Sequence, residues 1–183
     1  PYFSASVNNI YDSVVTAEDD NSVGHWNSIA IGWDGNPVIS HYDDTTDDLK
    51  VTICGSPDCS TGNITRTLDS QGDVGQYTSI TIGTDGYPII SYHDATNKDL
   101  KIYHCNDAVC ASGISRSLVT GPEYTGLYTS IAIGKDGFPV ISHYEHLMGD
   151  LYVTKCNSVD CHNSSTVTVD DGGFDDVGRW SSI

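Results

Sequence analysis

An all-β array of short antiparallel strands is the fold this sequence predicts, and three observations predict it. One stretch occurs three times: IAIGWDGNPVISHYD at 29–43, ITIGTDGYPIISYHD at 80–94 and IAIGKDGFPVISHYE at 131–145, spaced by 51 residues without insertion. Within each copy, apolar and small side chains alternate with the period of two that puts neighbours on opposite faces of a strand. An Asp-Gly-x-Pro turn then divides the copy into two strands, which makes it a β-hairpin. No segment carries sustained helical periodicity, so essentially no helix is expected.

The first 22 residues read as the back half of a divergent repeat. Val14 to Ala17, Glu18 to Asp20 and Val23-Gly24 parallel Val167 to Val169, Asp170-Asp171 and Val177-Gly178. Tyr2 to Val7 is expected to form a preceding strand. Residues 23–73 are the first full repeat. Trp26, Ser28 and Ala30 alternate with Ile29 and Ile31 in its first strand. Asp34-Gly35-Asn36-Pro37 turns the chain, because Gly permits an unusual φ and Pro, which cannot donate to a ladder, suits a strand's first position. Val38 to Asp43, Leu49 to Cys54 and Ile64 to Leu68 are the second, third and fourth strands. Residues 74–124 and 125–176 restate the pattern, and 177–183 open a further copy. Four strands in about 50 residues is the content of one propeller blade, and a blade must stack on neighbours to bury its faces.

The pattern S-I-A-I-G-x-D-G-x-P-V-I-S-x-Y-D followed by D-L-K resembles the repeats of secreted bacterial proteins of the β-propeller type. The resemblance covers nearly the whole chain and implies a fold rather than an activity. The hairpin is distantly similar to the Asp box of sialidase-like propellers, S-x-D-x-G-x-T-W. Here Asp34, Asp85 and Asp136 each directly precede Gly and no Thr-Trp follows, so sialidase activity is not carried over.

Composition bounds the function. Asp and Glu number 25 against 8 Lys and Arg, for a formal charge of −17. Such a field repels nucleic acid and anionic membranes and favours cations. No 18-residue apolar run exists to span a bilayer. Each repeat places one C-x4-C pair in the same slot: Cys54 and Cys59, Cys105 and Cys110, Cys156 and Cys161. Two thiolates per repeat fall short of a zinc site's four ligands. Small disulfide-closed loops are therefore expected, each worth about 2 kcal/mol through loop closure. They imply an oxidising compartment, with the protein secreted and extracellular or at the cell surface. Asn63 and Asn163 head glycosylation sequons at equivalent positions.

Several residue sets are candidates for chemistry. His41-Tyr42-Asp43, Tyr92-His93-Asp94 and His143-Tyr144-Glu145 share one slot, but the order scrambles between repeats, which favours packing over acid–base work. The loop holding Asp43, Asp44, Asp47 and Asp48 is the best candidate for Ca²⁺, which takes six to eight oxygen ligands; a self-capping Asp turn explains the same residues without metal. Trp26, Tyr77, Tyr128 and Trp180 recur once per repeat, either as inter-blade packing or as sugar platforms. Trp33, Tyr87 and Phe138 sit at hairpin tips, where aromatics exposed to a ligand are expected. No nucleophile elbow, phosphate loop, Cys-His pair or HExxH site is present in the sequence.

The ends fall mid-blade, and four blades would not close without a missing strand. The expectation is therefore self-association, or the remainder of a longer repeat chain completing the array, since strand donation between subunits builds fibres. The function expected from these features is a non-enzymatic structural or adhesive protein, assembling into an extracellular filament. The alternatives are a carbohydrate-binding, lectin-like module and, third, a propeller-class hydrolase or lyase.

Overall fold

A computed structural model describes residues 15–17, 22–120, 124–173 and 175–183. The expected strand at Tyr2 to Val7 lies outside the described residues. Twelve strands follow in these residues, four per sheet: β1 (Val23–Ile31), β2 (Pro37–Asp43), β3 (Asp48–Ile53) and β4 (Ile64–Asp69); β5 (Val74–Ile82), β6 (Pro88–Asp94), β7 (Asp99–Cys105) and β8 (Gly113–Val119); β9 (Leu127–Ile133), β10 (Pro139–Tyr144), β11 (Leu151–Cys156) and β12 (Ser164–Asp170). Each sheet is an antiparallel meander in sequence order. The described residues contain no helix. The result is a propeller-like array of three blades whose sheets do not close into a ring.

The hairpin turn forms for the reason its sequence gives. Asp34 Oδ1 accepts the Asn36 N–H at 3.0 Å, Gly35 takes a φ of +83°, and Gly32 N–H donates to Asn36 O at 2.8 Å. Asp85 and Asp136 cap Tyr87 N–H and Phe138 N–H in the same way, each at 3.2 Å. A carboxylate that satisfies its own turn explains the recurrence of Asp without any ligand.

Blades pack through their first strands, with β5 lying between β1 and β9. The serine of each S-I-x-I run bridges to the next blade. Ser28 Oγ accepts from Ile80 N–H, Ser79 Oγ from Ile131 N–H and Ser130 Oγ from Ile183 N–H, at 3.1–3.3 Å. Gly75 and Gly126 lie so close to the backbone of Leu49 and Leu100 that a Cβ would stand 2.7 Å from either Cα. Only glycine allows that approach. Outside, Arg66 donates to Val109 O at 2.8 Å, and Arg116 reaches Asp160 O and its carboxylate, clasping the cysteine loop of the following blade.

The core lies between the blades rather than within them. One cluster fills the first interface with Leu49, Val51, Val74, Ile90 and Tyr92; the other fills the second with Ile89, Leu100, Ile102, Ile131 and Ile141. The consequence shows on the outer face of the first blade. Ile29 is 60% exposed, whereas its equivalents Ile80 and Ile131 are each 6% exposed because a blade precedes them.

Candidate functional site

One rim of the array gathers the starts of β1, β5 and β9, the β2–β3, β6–β7 and β10–β11 loops and the ends of the outer strands. The opposite rim carries the hairpin tips and the cysteine loops. On the first rim Trp26, Tyr77, Tyr128 and Trp180 form a continuous row. Successive ring centroids are 5.0, 4.6 and 4.5 Å apart, with the planes tilted by 42–57°. Asn27, Thr78, Thr129 and Ser181 complete the walls of a shallow recess of about 270 Å³.

All four aromatic residues have left-handed φ, at 44°, 54°, 51° and 59°. The register shifts of β1, β5 and β9 against β2, β6 and β10 fall around Trp26, Tyr77 and Tyr128, so each of these three sits on a bulge that re-aims its side chain, whereas Trp180 lies in a turn. A bulky side chain in this region costs roughly 1–2 kcal/mol. Inter-blade contact offsets that cost, because Thr129 Oγ1 and Ser181 Oγ donate to Tyr77 O and Tyr128 O of the preceding blade. The row is thus both packing and platform: Tyr77 and Tyr128 are half-buried, whereas Trp180 is 76% exposed.

Carboxylates border the row. The Tyr42 ring lies 5.3 Å from Trp26, and its hydroxyl stands 2.7 Å from Asp47 Oδ1 and 3.0 Å from Asp73 Oδ1. A phenol has one proton and can donate to only one of the two at a time. Gln76 Nε2 donates to both Asp73 oxygens. Burial, then the hydrogen bonds to Asp47 and Asp73, push the Tyr42 phenol pKa well up, so it stays protonated. The third blade repeats the motif: Tyr144 Oη donates to Asp176 at 2.7 Å beside Arg179. In the second blade the tyrosine is His93, whose Nδ1 donates to Thr125 O at 2.7 Å, and the acid is Tyr124. The paired change, visible once the repeats are aligned, was the signal that could have revealed this site.

The sequence-derived candidates distribute as follows. The three cysteine pairs form disulfides within their loops, Cα atoms 4.8–4.9 Å apart, on the opposite rim. They agree with an oxidising compartment, and among the described residues no helix is long and apolar enough to cross a membrane. The four acids of the first calcium candidate are not brought together. Asp43 is buried, accepts from Thr45 N–H and pairs with Lys50 at 2.8 Å, which with that capping holds its pKa at about 2 against the effect of burial. Asp44 faces solvent near His25, Asp47 serves Tyr42, and Asp48 lies across the ladder from Asp43. Trp33 is exposed and lies over Gly86 of the next hairpin, Tyr87 packs on the core, and Phe138 lies beneath Lys155 Nζ at 5.3 Å. The three do not form one surface with the aromatic row. Asn63 Nδ2 donates to Cys59 O, whereas Asn163 is exposed. His41 and His143 turn inward to Thr52 and Thr154, as packing residues do.

No protein-family model and no curated protein sequence matches the chain. Solved structures do match its fold. An α-L-arabinofuranosidase from Lactobacillus brevis aligns over 80% of this chain and 53% of its own length, at 10% identity and a TM-score of 0.53. An engineered GH43 glycoside hydrolase with endo-xylanase and exo-arabinofuranosidase activity aligns over 85% of this chain and 30% of its own, at 16% identity and a TM-score of 0.52. The chain thus spans about half or less of these neighbours. They support a propeller-like all-β fold. They also correct the expectation drawn from the repeats, of a non-enzymatic structural or adhesive protein forming filaments: the solved proteins sharing this architecture are glycoside hydrolases. Uniform repeats are a property of the architecture, and they carry no information against catalysis.

Proposed function

We propose that this chain is part of a secreted carbohydrate-active enzyme, and that Trp26, Tyr77, Tyr128 and Trp180 hold a saccharide across the rim of its blades. The observation that carries the reading is the row itself. Four aromatic faces at 4.5–5.0 Å intervals, strained into left-handed backbone and flanked by hydroxyl and amide side chains, suit sugars, whose C–H faces stack on rings while their hydroxyls hydrogen-bond beside them. The glycoside hydrolases that share the fold support the same class of ligand.

Glycosidic bonds are cleaved by a pair of carboxyl groups, one giving a proton to the leaving oxygen and one serving as base or nucleophile. Asp47 and Asp73 are the pair best placed for this, both within 3.0 Å of one tyrosine hydroxyl and next to the row. Tyr42 orients them, and Gln76 fixes Asp73. Reducing-sugar release from arabinan and xylan, together with a glycan-binding array, tests the reading. Binding lost in Trp26→Ala and Tyr77→Ala, with cleavage lost but binding kept in Asp73→Asn, is the expected pattern. A flat array for the folded protein, with no sugar released, would overturn it.

A further inference from the structure

Each blade carries one acid ending its second strand and another beside the start of its third: Asp43 and Asp48, Asp94 and Asp99, Glu145 and Asp150. In the first two blades a lysine pairs with the first of these acids, and Lys101 also acts through space on Asp99. Lys50 Nζ is 2.8 Å from Asp43, and Lys101 Nζ is 3.6 Å from Asp94 and 2.6 Å from Asp69. The third blade has Tyr152 in that position, its ring edge-on to His143. The acids there remain buried: Glu145 completely, and Asp150 to 8% exposure.

Glu145 spends its two oxygens on the N–H groups of Leu147 and Met148, each at 2.7 Å. Asp150 Oδ1 is buried without a hydrogen-bond partner. Asp150 also lines an open recess of about 430 Å³ together with Thr168, Val169, Asp170 and Asp171. Burial raises the Asp150 pKa, and Glu145, Asp171 and Asp170 raise it further; the charges that act on it are all negative. An uncompensated buried carboxylate is costly, and proteins pair such groups or give them to a metal.

We propose that this recess binds a divalent cation, Ca²⁺ by its all-oxygen surroundings, which neutralises the buried Asp150 carboxylate. Zn²⁺ and Cu²⁺ prefer nitrogen or sulfur ligands, and Mg²⁺ demands a near-ideal octahedron. Among the described residues no three carboxylate, imidazole or thiolate groups are already gathered for a metal. The ion therefore draws the exposed Asp170 and Asp171 toward Asp150 and completes its shell with water, which the irregular geometry of Ca²⁺ allows.

Thermal melts of the wild-type chain in EDTA, in CaCl₂ and in NaCl of matched ionic strength test this, with calorimetric titration of Ca²⁺ alongside. At a hundredfold excess over Kd the wild-type midpoint rises by on the order of 5 °C. Asp150→Asn and Asp171→Asn lose the response, and Tyr152→Lys, which restores the ammonium, melts higher in EDTA and ignores Ca²⁺. Should Asp150→Asn fail to fold, Asp171→Asn and Tyr152→Lys decide. No midpoint rise beyond the NaCl control, or an equal rise in wild type and Tyr152→Lys, would overturn the proposal. So would a wild-type protein whose stability Ca²⁺ leaves unchanged at every concentration while acid raises it.

Discussion

Replacing Lys101 by Met isolates the charge balance that joins the first two blades. Lys101 Nζ lies 2.6 Å from Asp69 and 3.6 Å from Asp94, and all three side chains are almost buried. Removing one partner of a buried pair costs about 3–5 kcal/mol, because a carboxylate is left without its counter-ion. Asp69 keeps the Tyr92 hydroxyl at 2.7 Å, the Ser115 hydroxyl and the Gln71 N–H, and Asp94 keeps Asn97. The loss should therefore lie near the lower bound, about 3 kcal/mol. With a urea m-value of about 2 kcal/mol/M the midpoint falls by about 1.5 M at pH 7.

The effect has a signature in pH. Burial alone would raise the Asp69 pKa, but the hydrogen bonds from Lys101 and Tyr92 outweigh it and hold the carboxyl below its ordinary value. A group depressed on folding contributes stability above its unfolded pKa, near 4, and loses that contribution as pH falls through the lower folded value. The gap between wild type and Lys101→Met is thus full at pH 7 and narrows below about pH 4. Asp69→Asn combined with Lys101→Met should recover part of the loss. A single variant within about 1 kcal/mol of wild type at pH 7, or a gap independent of pH, would refute the account of the interface.

The remaining predictions concern other parts of the molecule. Leu100→Ala removes a fully buried side chain between the second and third blades and costs about 2–5 kcal/mol in urea melts, whereas Ile29→Ala, on the uncovered face, stays within about 0.5 kcal/mol. Burial holds the His143 imidazole down at a pKa of about 3, so its NMR shifts should not titrate between pH 5 and 8. The unfolded chain takes up that proton near pH 6.5, so the contribution is whole above this value and is lost as pH falls toward 3; His143→Gln flattens the slope of stability against pH in that window. Replacing Cys105 and Cys110 together by Ala opens a small loop and lowers stability by about 2 kcal/mol, with the aromatic row on the opposite rim unaffected in sugar binding.

The blades were legible because their physics is local. Alternation, an Asp that caps its own turn, Gly at the tip and Pro beyond it are interactions within a dozen residues, and they place β1 and β2 within a few residues of where they lie. The cysteine pairs were legible for the same reason, five residues apart in a loop that holds both ends. The site was only half legible. Recurrence marked Trp26, Tyr77, Tyr128 and Trp180, but whether they pack or face outward depends on the bulges of β1, β5 and β9 and on how one blade tilts against the next. The meeting of Tyr42 with Asp73, 31 residues on, and of Lys101 with Asp69, 32 residues back, depends on blade stacking. So does the difference between Asp43, paired with a lysine, and its equivalent Glu145, held by backbone N–H groups. By itself the sequence determined the strands, their turns and their covalent loops, since those are set by near neighbours. Only the tertiary structure decided which charges are compensated and which rings are aligned, since these depend on surfaces from separate repeats brought together.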